Sequence, residues 1–220
     1  MPIDELATAL EKRLQETLPN GRLIATRLSL APEIQLYLFD PQSMEVPLTH
    51  DQAQAVVAEP AYWCFCWASG QVLARYLLDH PELVKGKTLI DVGSGSGVVA
   101  IAAAMAGAGK VIAVDIDPAS RHAIEVNADL NQVRVEVREA MPVKGLEIIT
   151  AADILYDRDN LTLLSEFRDK AERVVLADSR IRNLQADGYN LVTTKEATTW
   201  PDLNEFEEFN QVRIYLAGNV

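Results

Sequence analysis

The chain has 220 residues, enough for one compact domain with a buried core or one domain with a short appendage, but not for two full-sized domains. Apolar residues at 49% and charged residues at 24% exclude general disorder and a fibrous or collagen-like chain. Thirty-two acidic against twenty basic residues give a net charge of −12, which repels polyphosphate backbones and makes nucleic acid a disfavoured partner.

No uninterrupted apolar run approaches the roughly 20 residues a membrane span needs, and the N-terminus lacks a basic region followed by an apolar one. The expectation is a chain that stays in the compartment where it is made, cytoplasmic and free of membrane. Cys64 and Cys66, the only cysteines, supply neither a disulfide framework nor a four-ligand zinc site, and read as thiols of a reducing compartment. No metal is expected.

From the N-terminus, Leu6, Leu10, Leu14 and Leu18 fall four apart and predict a helix over Ile3–Leu18, ended by Pro19-Asn20-Gly21. Strands are predicted over Arg22–Leu28 and Ile34–Asp40, closed by Pro41. Residues 1–60 thus read as a helix-and-hairpin appendage, a lid or a dimer contact, before a main domain over 61–220. A polar stretch with Thr49, His50 and Asp51 leads to AYWCFCWASGQ, the densest aromatic segment, as suited to core as to the wall of a pocket for a flat ring. A helical pattern follows over Gln71–Leu78.

Strands and helices then alternate: strands at Thr88–Val92, Val111–Asp115, Val133–Val137, Ile148–Leu155 and Arg173–Ala177, helices at Val98–Ala106, Ala119–Leu130 and Leu161–Lys170. Nearly continuous apolar strands such as TLIDV predict an α/β, Rossmann-like, doubly wound sheet covered on both faces. Two late β-like runs, Tyr189–Thr194 and Gln211–Leu216, without a full helix between them, are expected to pair antiparallel at one sheet edge.

TLIDV runs directly into Gly93-Ser94-Gly95-Ser96-Gly97 and a helix, the context in which a ligand approaches backbone and helix N-terminus. The dinucleotide fingerprint wants a small residue where Val98 stands. Asp91, at the strand end, opposes a pyrophosphate and favours a cation. S-adenosylmethionine carries an ammonium and a sulfonium and no phosphate, so it fits this edge better than NAD does. Asp115 ends the next strand, placed for ribose hydroxyls. Since Asp117 and Pro118 already supply a cap and a first-turn proline, Asp115 reads as spare. The strand after that ends in Arg138, Glu139 and Ala140, of which Glu139 is favoured for adenine. Asp153 reads as a substrate-side carboxylate with no cap duty, while Asp157 or Asp159 reads as the cap of the helix from Leu161, the structural reading being preferred for Asp159.

Taken with ADILYDRD, the run from Tyr62 to Pro118 resembles the seven-strand S-adenosylmethionine-dependent methyltransferases. Within them it looks like the protein-lysine branch that methylates the electron-transfer flavoprotein β-subunit. The resemblance implies a mostly parallel seven-strand sheet with an antiparallel edge strand. It implies that Trp67, the Ser69-Gly70 turn, Asp91, Gly93, Ser94, Gly95, Gly97, Asp115, Ile116, Glu139 and Asp153 hold S-adenosylmethionine, with S-adenosylhomocysteine the product. Asp153, Tyr156 and Asp157 would be the catalytic, substrate-side group, and the partner a protein, the flavoprotein β-subunit being one such substrate. Rival readings are a methyltransferase of the same fold acting on a ribosomal protein or a small amine, a non-catalytic module that keeps the fold, and an NAD-linked oxidoreductase.

Overall fold

A computed structural model of the chain describes residues 3–43, 48–142 and 146–218. Seven strands form one sheet: β3 (Thr88–Val92), β4 (Lys110–Val114), β5 (Glu136–Arg138), β6 (Leu146–Ala152), β7 (Ala171–Asp178), β8 (Asn190–Glu196) and β9 (Gln211–Gly218). Their spatial order is β5-β4-β3-β6-β7-β9-β8. Pairs from β5 to β7 are parallel, while β9 runs antiparallel to both β7 and β8. The late strands therefore close one side as expected, with the reversed strand one place in from the edge. Order turns around between β3 and β6, which opens a crevice beyond their carboxyl ends.

Helices α3 (Ala68–Asp79), α4 (Val98–Met105), α5 (Pro118–Leu130) and α6 (Thr162–Lys170) cover the sheet. VVAIAAAM in α4 is apolar on every side because it is enclosed by α3, α5 and the sheet. α5 starts as the sequence predicts, with Asp117 accepting the Ala119 N–H and Pro118 in the first turn. The strand predicted over Val133–Val137 is the three-residue β5, displaced toward Arg138. The strand predicted to Leu155 stops at Ala152, since Asp153 turns left-handed with φ 51°.

The leucine stripe forms, but the helix α1 (Ile3–Gln15) stops short of the expected Leu18, which packs into the same cluster from beyond its end: Leu10 and Leu14 bury against Ala119, Ala123 and Val126 of α5, with Trp63 and Cys64 beside them. The hairpin of β1 (Leu23–Arg27) and β2 (Gln35–Phe39) sends Ile34, Leu36 and Leu38 into the main core. Asn127 of α5 and Asn131, the residue just past its end, fasten it. Asn127 Oδ1 accepts the Tyr37 N–H at 2.8 Å and its Nδ2 donates to Ser96 O in the glycine loop at 2.8 Å, while Asn131 pairs with both backbone groups of Gln35. The polar stretch at Thr49 is in fact a helix, α2 (His50–Ala58), opened by a reciprocal cap between Thr49 and Gln52.

Asn127 is fully buried, so an apolar substitute of equal size orphans one N–H and one carbonyl at once. Each orphan costs about 1–3 kcal/mol. Asn127→Leu is expected to lower the unfolding free energy by about 2–4 kcal/mol in urea melts. An unchanged midpoint would mean the hairpin is not held this way.

Candidate functional site

The carboxyl ends of β3, β4, β6 and β7 place four carboxylates along one rim. Gly93, Gly95 and Gly97 all have positive φ, the conformation that only glycine adopts without strain. Their surroundings differ. A Cβ on Gly93 would meet the Ile154 side chain at 2.9 Å, and one on Gly97 would press on the Ile124 backbone at 3.3 Å, whereas one on Gly95 would stand in open space. Gly93 and Gly97 are thus packing glycines, and Gly95 leaves the cradle clear. A pocket of about 40 Å³ lies here between Trp67, Gly70, Asp91, Ser94, Val98 and Ala152. Gly70 also keeps α3 close to α4, since a Cβ there would come within 3.0 Å of Val98.

Asp91 is buried beneath the loop, its Oδ2 accepting from the Ser94 hydroxyl and its Oδ1 from that of Thr150 at 2.9 Å. Loss of water pushes its carboxyl up to about 7 against the pull of those two hydroxyls, with the neighbouring Asp115 adding to the rise. Among the described residues no cation pairs with it, and a buried carboxylate so placed fits a positively charged ligand. The sequence reading of Asp115 as spare needs correction. Its Oδ2 accepts the Gly95 N–H at 2.9 Å and its Oδ1 the Asp117 N–H at 3.0 Å, so it also holds the glycine loop in shape. Burial raises its pKa too. Ile116, next to it, is 84% exposed, a platform open to a flat ring, while the Glu139 side chain is 76% exposed and lies 4.0 Å from Arg121.

Asp153 carries the cap duty that the sequence reading denied it. Helix α3 begins at Trp67 with no side-chain cap of its own. Asp153 supplies one from 84 residues away, its Oδ2 accepting the Ser69 N–H at 3.1 Å and its Oδ1 the Ser69 hydroxyl at 2.6 Å. From the other side, Ser179 donates its N–H and its hydroxyl to Oδ1 at 3.1 and 2.8 Å. The carboxylate is thereby pinned between α3 and the end of β7. Of the two caps expected near α6, Asp157 is the one that accepts, taking the Asp159 N–H at 3.0 Å, but it opens the 3-10 turn over Arg158–Leu161, and α6 itself begins without a side-chain cap. Asp157 and Tyr156 are exposed, and the Tyr156 ring lies 5.9 Å from Tyr62, which lies 5.8 Å from Trp67.

Sequence reasoning missed Asp178, at the end of β7. It is fully buried, and its Oδ1 accepts the N–H groups of Arg180 and Ile181, while Oδ2 has no partner. Burial pushes it up to about 6, with Asp153 adding to the rise. The signal was available in VVLAD, a third apolar strand ending in an acid like TLIDV and VIAVD. Cys64 and Cys66 are buried and their thiols are raised by desolvation, so neither is a ready nucleophile.

Asp91 gives a pH prediction. Its folded value stands above the ordinary 3.8, so between about pH 4 and 7 the unfolded chain ionises while the folded one holds its proton. Stability is fully present below that window and falls as pH rises through it, by up to about 4 kcal/mol for a shift of this size. Asp91→Asn removes the loss. Thermal melts should show the variant gaining on the parent from pH 4 to 7 and holding a constant lead above pH 7.5. A lead that does not change with pH would contradict the assignment.

Comparison with known proteins gives the same reading. Residues 72–181 match the family model of ribosomal protein L11 methyltransferase (PrmA). The chain is 34% identical over 183 residues to the electron transfer flavoprotein beta subunit lysine methyltransferase of Mus musculus, covering 79% of this chain and 71% of that one. It is 37% identical over 207 residues to the homolog from Caenorhabditis elegans, covering 83% of each. Among solved structures, magnesium protoporphyrin IX methyltransferase from Synechocystis PCC 6803, with bound SAH, matches at a TM-score of 0.51 and 15% identity, over 80% of this chain and 90% of that one, which bears on the fold alone. The methyl donor that such a site takes is S-adenosylmethionine, and the chain belongs to the electron transfer flavoprotein beta subunit lysine methyltransferase family.

Proposed function

We propose that the protein methylates a lysine side chain of a protein substrate, and that this substrate is the electron-transfer flavoprotein β-subunit. The observation that carries the reading is where the likeness lies. The L11 methyltransferase model covers the half of the chain that builds the cofactor edge, residues 72–181. Likeness to the lysine methyltransferases takes in 79–83% of the chain and so extends into what lies outside that half.

When bound, S-adenosylmethionine supplies an electrophilic methyl carbon on a positive sulfur. Asp91, the glycine loop and Trp67 would hold its methionine part, Asp115 its ribose hydroxyls, and Ile116 its adenine face. A lysine amine, with an ordinary pKa of about 10.4, arrives charged and must lose a proton before it can attack. Asp153 Oδ1 is saturated by three donors and Oδ2 by one, so the remaining lone pair sits on Oδ2. There it would receive the ammonium in a fixed orientation. The rings of Tyr62, Trp67 and Tyr156 exclude water and favour the neutral amine, and the proton leaves to solvent at the exposed mouth. Orientation of this kind is worth about 7–11 kcal/mol in well-aligned reactions. Asp157, exposed and engaged in its turn, adds negative charge at the rim rather than a contact to the amine.

The direct test incubates the protein and labelled S-adenosylmethionine with β-subunit from a strain lacking this gene. Label on β-subunit lysines is expected, and label confined to small metabolites would overturn the reading. Tyr156→Phe, which keeps the ring, is expected to retain kcat within about threefold, and Tyr156→Ala to lose at least tenfold. Asp153→Asn should lower kcat at least 100-fold while cofactor affinity changes less than fivefold. Full activity in Asp153→Asn, with a native-like melt, would remove Asp153 from the mechanism.

A further inference from the structure

A ribbon of rings crosses the mouth of the site. It runs from Tyr156 to Tyr62 and Trp67, then to the Arg180 guanidinium, 5.8 Å from the centre of the Trp67 ring and 4.5 Å from that of Phe209, and on to Phe206, 6.3 Å beyond. Both ends are open, with Tyr156 65% and Phe206 77% exposed, and Trp200 and Leu203 of the same arm are exposed too. A single exposed apolar residue needs no explanation, but a connected row of them marks an interaction surface.

The arm that carries the far end is firmly attached. Cys66 and Trp200 exchange two backbone hydrogen bonds, each 2.8 Å, and Gln71 Nε2 donates to Thr198 O at 2.8 Å. The Thr199 hydroxyl donates to Glu205 at 2.7 Å, and Glu205 pairs with Arg180 at 2.6 Å. Phe206 is therefore presented on a fixed platform, not left at a frayed end.

Charge says what fits there. The segment from Trp200 to Asn210 carries Asp202, Glu205, Glu207 and Glu208 and no base. Arg180 neutralises Glu205 and Arg182 neutralises Glu208, but among the described residues no cation pairs with Asp202 or Glu207. Asp157 adds charge of the same sign beside Tyr156. The strip is apolar, with the Arg180 charge at its middle answered by Glu205, and Asp202 and Glu207 leave its far arm acidic. Successive rings stand about 5–6 Å apart, and a peptide advances about 3.3 Å per residue, so the ribbon spans several residues of an extended segment. A free amine would use only the mouth.

We propose that the ribbon from Tyr156 to Phe206 is the docking surface for the protein substrate, and that its occupant is a basic segment carrying an apolar residue near the target lysine. The apolar residue packs on Phe206 and Leu203, the flanking bases face Asp202 and Glu207, and the lysine turns in between Tyr62 and Tyr156. This rests on the reading that a protein lysine is the acceptor.

Two arms separate the two claims. A 12-residue synthetic peptide with one lysine flanked by Arg and Leu, and its counterpart with Glu for Arg, are titrated into the protein in the presence of S-adenosylhomocysteine. The basic peptide is expected to bind at least tenfold more tightly than the acidic one, and Phe206→Ser and Glu207→Lys to weaken it at least fivefold with S-adenosylhomocysteine affinity unchanged. Equal binding of the two peptides, no binding, or no effect of either variant overturns the docking proposal. In the second arm, methylation of the β-subunit by the parent protein tests the substrate reading alone. If that holds, the same variants should raise KM for the β-subunit at least fivefold with kcat within twofold, and an unchanged KM overturns the docking strip independently.

Discussion

Asp91 lies out of water at the end of a central strand, and the side chains that donate to it, Ser94 and Thr150, are neutral hydroxyls. Hydroxyls replace only part of what hydration gave the charge, so the carboxyl rises to about 7 and the ligand-free protein carries an unfavourable feature at the centre of its sheet. A cation placed above the loop relieves it. The surrounding geometry is arranged around that point: Gly95 leaves the approach clear, and Asp115 holds the Gly95 N–H. Asn127 ties Ser96 to the hairpin, so the N-terminal hairpin helps to keep the loop in shape.

The same economy of carboxylates extends to the acceptor side. Asp153 ties the start of α3 to the turn after β7, across the end of the already paired strands β6 and β7. A group held by four donors has little freedom to reorient, which suits the ammonium-orienting role proposed for it. It also means that stability and activity are bound to one residue. Asp178, two elements away in sequence but adjacent in charge, keeps an unsatisfied oxygen in the core beside it. A purely structural carboxylate would be expected to find a partner for that atom.

Local pattern made the sheet legible. Apolar strands of five or more residues separated by helical periods give the alternation, and Asp117-Pro118 marks the start of α5 without ambiguity. The acids at the ends of β3 and β4 were readable for the same reason, since parallel strands deliver their last residues to one edge. What the sequence hid was non-local. Ser69 and Ser179 meet Asp153 across 84 and 26 positions, and Asn127 meets Tyr37 across 90, so no window along the chain shows these partners. The α2 helix is different. Its Thr49–Gln52 cap is a short-range signal, overridden in the reading by the polarity of the residues around it. The cap expected from Asp157 or Asp159 falls on a 3-10 turn opened by Asp157, which intervenes before α6.

We infer that the buried Asp91 carboxylate, which no cation among the described residues pairs with, selects a positively charged methyl donor. It is tested most directly by calorimetric titration of S-adenosylmethionine at pH 6 in two buffers of different ionisation enthalpy. Since Asp91 holds its proton below about pH 7 in the free protein, binding should release close to one proton, affinity should rise from pH 6 to 7, and both effects should vanish in Asp91→Asn. Binding that releases no proton and is indifferent to pH over that range would contradict the account.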